Sequence, residues 1–399
     1  MPSGDTQQSA YGRPRPSHGA ELMEVGPGTP AGELLRRYWQ PVGLSAEVSD
    51  RPVRVRVLGE DLILFRDGRG RVGLVDEHCA HRGTSLHYGR PERDGIRCCY
   101  HGWLFDVEGH CLDQPCEPPE STYKDKVRQP WYPCREYHGL IFAYLGPLER
   151  MPVFPRWDLI EEGDGVVVAD GTSYGLGGGT ILDCNWLQTF ENVMDPFHVS
   201  VLHSTFSGQQ FSSAMASRPR VTWELTEQGM RSIQERELGD GRPFRRITEV
   251  LIPNVRIVPN PHAGGDQGFR RADALGWHLP IDDTHTRMYS LLRVPVRDGQ
   301  PVLPPRARHG GKPWVELSEQ EHQRMPGDAE AMISQGPIAV HALEHLATSD
   351  RGVIMLRRLL RQQIDGVRRG EDPTGVIHDP ARDLVITTAG NWVMEPARP

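Results

Sequence analysis

No stretch of this 399-residue chain approaches the roughly 18 continuous apolar residues that a membrane-spanning helix needs. Basic charge is also short. With a net charge of −8 and a pI near 6.1, the chain lacks the positive footprint that nucleic acid demands, so no nucleic-acid partner is expected. Cysteine is sparse and irregular, at seven residues. Cys99, Cys111, Cys116, Cys134 and Cys184 make no framework and read as structural thiols of a reducing compartment, with a Cys111–Cys116 bridge disfavoured. Internal repeats are missing. The glycine run Gly175–Gly179 lacks both the G-x-G-x-x-G spacing and a βαβ setting. It reads as a turn, so nicotinamide chemistry has to come from another protein. Residues 1–20 are rich in Ser, Gly, Pro and Gln and read as a disordered tail, neither signal peptide nor anchor. Together these absences predict a soluble, cytoplasmic protein of two or three domains.

What is present centres on two pairs of metal-ligand residues. Cys79-Ala80-His81 is followed, sixteen residues later, by Cys98-Cys99-Tyr100-His101-Gly102-Trp103. One C-x-H and one C-x-x-H pair suit a [2Fe-2S] cluster of the Rieske type. In it Cys79 and Cys98 hold one iron, His81 and His101 the other, and neutral imidazole in place of thiolate raises the potential. Gly83, Gly89, Pro91 and Gly95 favour turns that let two loop tips converge. A Cys2His2 zinc site is the competing reading. Zinc fingers, however, usually open on C-x-x-C and close on a His pair.

A second constellation lies at Asn192-x-x-Asp195-x-x-His198-x4-His203. Two imidazoles and a carboxylate form the three-ligand face of a non-haem Fe(II) site that leaves positions open for dioxygen. An i, i+5 spacing separates side chains by about 140° on a regular helix. A π-like turn or local unwinding is therefore expected, with Pro196 favouring the irregularity. Asp328 and Asp350 compete for the carboxylate, and each also suits a helix start.

These residues resemble the Rieske non-haem iron oxygenases, and more narrowly their phthalate dioxygenase and aromatic O-demethylase branch. Trp277–Asp283, Ser334–Ile338, Glu344–Leu346 and Ser349-Asp350 extend the resemblance over roughly residues 25–370. Two departures stand out: Cys99 where the family usually has Pro, and Val340-His341 where relatives tend to have Asp-Arg. The resemblance implies an α+β chain, with a Rieske β domain over 21–155 and a helix-grip (START-like) catalytic domain over 156–399. It assigns Asp328 as the third iron ligand and places Asn192 and Asp195 in the catalytic machinery. Asp195 would bridge an iron histidine to His101 of a neighbouring subunit in a homotrimer. The implied activity is hydroxylation or oxidative O-demethylation of a small aromatic, carboxylated substrate, with O2 and electrons from an NAD(P)H-dependent reductase. Arg218, Arg220 and Arg246 are candidates to meet that carboxylate. A non-catalytic Rieske electron carrier explains residues 79–101 but not 192–203.

Along the chain, Glu33–Trp39 predicts a short helix capped by Thr29. Val53–Val57, Asp61–Phe65, Val72–Val75, Trp103–Val107 and Leu140–Leu145 predict strands, with a boundary at Pro152–Arg156. Longer strands follow at Thr248–Val258 and Met288–Val294 around one helix over 185–203. Gly299–Gly327 reads as a surface loop, then a helix over Asp328–Ala347. A second helix, capped by Ser349, carries Val353, Leu356, Leu359, Leu360 and Ile364 on one face.

Overall fold

The computed structural model describes residues 16–172, 181–207, 211–261, 268–303 and 312–394. Most of the tail expected over 1–20 and the glycine run Gly175–Gly179 lie outside these residues. Three small antiparallel sheets come first. Val53–Val57 alternates buried-side Val with outward Arg54 and Arg56, as a half-buried strand should, and joins Glu60–Arg66, Val72–Asp76 and Trp131–Tyr132. Leu140–Tyr144, buried along its whole length, is the centre strand between Trp39–Leu44 and Cys134–Tyr137. Arg90–Glu92, Gly95–Arg97, Leu104–Phe105 and Cys111–Asp113 make the third sheet, which carries the Cys98 loop.

From Val166 a ten-stranded antiparallel sheet takes over, running through Val166–Asp170, His285–Val294, Ala274–Asp282, Val255–Ile257, Pro243–Leu251, Gly229–Glu237 and Arg220–Leu225. The long helix Arg351–Arg368 lies against it. Its Leu356, Leu359, Leu360, Ile364 and Val367 share one core with Met230, Val250 and Leu275, each burial contributing roughly 2 kcal/mol. This is the helix-grip arrangement that the resemblance implies.

Several local expectations need correction. The first helix spans Pro30–Leu35, with the Thr29 side chain accepting from Gly32 N; Trp39 already begins a strand. The Trp103–Val107 strand shrinks to Leu104–Phe105. Thr248–Val258 is two strands, Pro243–Leu251 and Val255–Ile257, because Pro253 has no N–H to continue the ladder. The surface loop contains a helix, Glu319–Arg324, with a capping box between Ser318 and Glu321. The helix beginning at Asp328 stops at Ile333, where Gly336 turns with φ +97° before Pro337. Asp350, not Ser349, stands at the N-cap position of the long helix; its carboxylate makes no cap bond to that helix and accepts instead from Ala347 N, at the start of the preceding turn, at 2.7 Å.

Candidate metal centres

The two loops of the first centre are built alike. In each, a glycine four residues after the cysteine has positive φ, Gly83 at +74° and Gly102 at +72°. Each glycine N–H donates to its cysteine carbonyl (2.9 and 3.1 Å), and each cysteine N–H donates to the residue five positions on, Thr84 or Trp103 (2.9 and 2.8 Å). A C-x-H and a C-x-x-H pair thus fold into matching turns that need a glycine. Gln129, fully buried, ties down the first loop: its amide oxygen accepts from Ala80 N, and its nitrogen donates to the carbonyls of Asp76 and His78.

Cys79 and Cys98 are buried among Phe65, Leu86, Ile96 and Phe105. Cys99 is exposed. The imidazoles of His81 and His101 sit 4.5 Å apart, His81 stacking on Trp103 at 4.2 Å. Burial pushes the Cys79 thiol up to about 12, and the neighbouring Cys98 adds to the rise. Burial, then His101, hold His81 below its ordinary value. Two crowded buried sulfurs facing two imidazoles form a donor set that fits the cluster. All seven cysteines are free thiols, Cys111 and Cys116 included.

The second centre breaks the single helix expected over 185–203. An α-helix, Trp186–Glu191, passes through a 3-10 turn, Asn192–Met194, to an extended Asp195 before Pro196. Helix resumes at His198–Val201 and widens into a π turn over Leu202–Phe206. That widening brings His203 round to the side of His198. Asp328 enters from the start of its own helix. Its Oδ1 lies 3.0 Å from His203 Nε2 and 3.6 Å from His198 Nε2, and one donor atom from each of the three residues falls within 4.8 Å of the others. This N, N, O set suits Fe(II) with coordination positions to spare.

Asp195 stands behind His198, its Oδ2 3.5 Å from Nδ1, while its Oδ1 accepts from Phe197 N at 2.9 Å. Burial pushes Asp195 up, but His198 and the Phe197 and His198 N–H groups more than offset it and leave it low. Burial lowers His198, yet Asp195 and Asp328 leave it raised. The Asn192 side chain has no hydrogen-bond partner among the described residues. Asp350 stays at its cap, outside the cluster.

Sequence reasoning missed what sews this centre together. Gln188 donates to Met332 O (2.9 Å) and Gly336 O (3.1 Å) and accepts from Ala339 N (2.9 Å), joining the histidine segment to the Asp328 segment. The Ser207 hydroxyl donates to Pro326 O. A further group, Glu191, His341 and Glu344, also has converging donors. It is filled by Arg357, which pairs with both carboxylates, so no cation is required there. None of the three candidate arginines is poised at the donor set. Arg218 is exposed over the Phe197 ring, Arg220 is exposed beside Glu235, and Arg246 holds the carbonyls of Pro259 and Asn260 and the Asn391 side chain.

The model of the Rieske [2Fe-2S] domain matches residues 38–155. Over 98% of this chain and 94% of the relative, the sequence is 48% identical to the phenoxybenzoate dioxygenase subunit alpha of Ectopseudomonas oleovorans. The chain belongs to the Rieske non-haem iron oxygenases. It is the oxygenase component of such a system, an oxidoreductase that uses dioxygen and electrons from a reductase, with a [2Fe-2S] cluster and a mononuclear Fe(II). A match of this length leaves no room for a carrier without a catalytic part. Another relative, at 39% identity over 89% of this chain and 78% of its own, is the tert-butanol monooxygenase / tert-amyl alcohol desaturase oxygenase subunit of Aquincola tertiaricarbonis. The fold is shared with the NdmA QL mutant of Pseudomonas putida CBB5 solved with caffeine (TM-score 0.62, 20% identity, 86% of this chain and 95% of that one). No helix among the described residues of this Rieske oxygenase is long and apolar enough to cross a membrane.

Proposed function

We propose that this oxygenase hydroxylates or oxidatively O-demethylates an aromatic carboxylic acid at a mononuclear iron held by His198, His203 and Asp328. The observation that carries this reading is the convergence of those three donors within 4.8 Å. In the same reading Cys79, His81, Cys98 and His101 hold the cluster. Residues 21–155 form the cluster domain and residues 156–399 the catalytic domain. When bound, the cluster supplies one-electron transfer and the mononuclear iron supplies dioxygen activation. The chain's own part is positioning. The π turn aims His203, Gln188 fixes the Asp328 segment against the histidines, and Asp195, 3.5 Å from His198 Nδ1, would orient that ring.

Asp195 is partly exposed on its turn, and that side would face a neighbouring subunit. There it would accept from the neighbour's cluster histidine, equivalent to His101, making a closed homotrimer the working form. Asn192 would support that turn from its 3-10 step. The reductase would be NAD(P)H-dependent and the location cytoplasmic, a reading supported by seven free thiols. Of two relatives, matched over 94% and 78% of their length, one is named for an aromatic acid and one for a tertiary alcohol.

Asp195→Asn is the test. It should keep about three irons per chain, where a carrier holds about two, and lose most turnover while the cluster remains reducible. A fully active monomer, or undiminished turnover in this variant, contradicts the proposal.

A further inference from the structure

One face of the large sheet changes character along its length. Gly229–Glu237 and Pro243–Leu251 pair in register, so Met230 stands beside Val250, Ser232 beside Thr248, Gln234 beside Arg246 and Arg236 beside Phe244. Under the long helix this face is apolar, at Met230 and Val250. Toward the other end it turns polar while staying buried, at Ser232, Gln234, Arg236, Arg246 and Thr248. That end faces the metal donors. Phe244, level with Arg236, belongs to a buried cluster with Ala214, Met215, Leu238 and Val393, against which Val199 and Phe211 pack; Val199 follows His198, and the Phe211 ring lies 4.5 Å from that of His203.

Arg236 is the unusual member of this strip. It is 6% exposed, yet none of its partners is an acid. Nε donates to Ser217 O at 3.1 Å and Nη1 to the Gln234 amide oxygen at 3.0 Å, while Nη2 is shielded from solvent and has no partner among the described residues. The neighbouring acid Glu235 points to the opposite face and pairs with Arg245. A buried guanidinium with an unused N–H edge and no counter-charge among the described residues is costly unless something anionic arrives. Burial lowers it to about 10, so it is still a cation at neutral pH. Arg246 differs, because two carbonyls and Asn391 already occupy it.

Building on the iron site described above, we propose that Arg236 is the anion-recognition residue of the substrate pocket. Its Nη2 edge receives the carboxylate of an aromatic acid, and Gln234 holds the guanidinium plane from Nη1. Guanidinium suits this task because its donors are fixed in a plane that matches a carboxylate. The acid's ring then lies against Phe244 and Phe211, on the side of the sheet where the donors converge.

Calorimetric titration of the iron-loaded holoenzyme tests this, with 3-phenoxybenzoate and its neutral counterpart 3-phenoxybenzyl alcohol as probes. The wild type should prefer the acid by about tenfold or more, as a charge-assisted contact requires. Arg236→Gln should weaken acid binding by about 30-fold and alcohol binding by less than about threefold; Arg236→Lys, which keeps the charge but not the fork, should fall between. Because the buried charge is uncompensated in the free protein, the thermal midpoint of Arg236→Gln should not fall; a structural arginine would lower it. Equal wild-type affinity for acid and alcohol, or unchanged acid binding in both variants, overturns the proposal. Product analysis with reductase separates it from the reading on which it rests. Arg236-dependent acid binding without oxygenated product leaves the anion site standing and counts against the reaction assigned to the iron site. Oxygenation of either probe with no effect of Arg236 does the reverse.

Discussion

Replacing Arg357 with Met should be among the most damaging single changes away from the metal ligands. Its Nε and Nη2 donate to Glu191 at 2.7 and 2.6 Å, and Nη2 and Nη1 also hold Glu344. Once the guanidinium is gone, Glu344, with a side chain 26% exposed, can regain water, while Glu191, at 10%, is left as an unpaired buried acid. Losing one partner of such a pair costs about 3–5 kcal/mol, a large part of a typical total of about 5–15 kcal/mol. Burial already holds Glu191 above its ordinary value in spite of Arg357; without Arg357 it should rise further. A carboxyl whose folded value is raised gives its full stability below the unfolded value and loses it as pH rises through the folded one. The deficit of Arg357→Met should therefore be larger at about pH 8 than at about pH 5.5. Urea unfolding at both pH values measures this. Glu191→Gln placed on Arg357→Met should restore at least about 2 kcal/mol and flatten the extra pH dependence. A deficit under about 1 kcal/mol, or one indifferent to pH, refutes the reasoning.

Cys98→Ser should abolish the cluster's absorption and paramagnetic signal, whereas Cys99→Ser, at an exposed thiol, should leave both intact; the opposite pattern means the register of the ligand pair is wrong. Asp328→Ala should keep the cluster spectrum and lose the mononuclear iron, and Asp350→Ala should keep both metals and lose about 1 kcal/mol with its cap; metal analysis with thermal unfolding decides between them. A Cβ on Gly352 would stand 2.2 Å from both Met194 O and Trp223 Nε1, so Gly352→Ala should cost about 1–3 kcal/mol. It should also slow turnover by moving the peptide before Asp195; a variant as stable and active as the wild type removes that contact from the account.

Local pattern made some of this architecture readable. The Val and Arg alternation of Val53–Val57 has the strand period, and the i, i+5 spacing of His198 and His203 demanded the widened turn found over Leu202–Phe206. The errors fell where a punctuating residue was given too little weight. Pro253 cuts one expected strand, and Gly336-Pro337 shortens one expected helix. Gln129, Gln188 and Glu191 carried no signal at all, because their partners are 49 to 166 residues away in the chain.

Arg236 was hidden for a different reason. In Gly229–Glu237 the set Ser232, Gln234, Arg236 alternates with Arg231, Ile233, Glu235, so hydrophobicity does not say which face is inside. Only the burial of Ser232, Gln234 and Arg236 in the folded chain shows that the first set is covered. An ordinary core strand would have put Val, Ile or Leu at those positions, and local rules tend to fail where a site demands polarity inside. The ambiguity of this strand and the unpaired Nη2 of Arg236 then have one cause: a buried face kept polar for a ligand. Gln234→Leu, which removes the Nη1 acceptor but not the charge, should then weaken 3-phenoxybenzoate less than Arg236→Gln does. An equal loss in the two variants would mean that the strip acts through packing, not through the guanidinium.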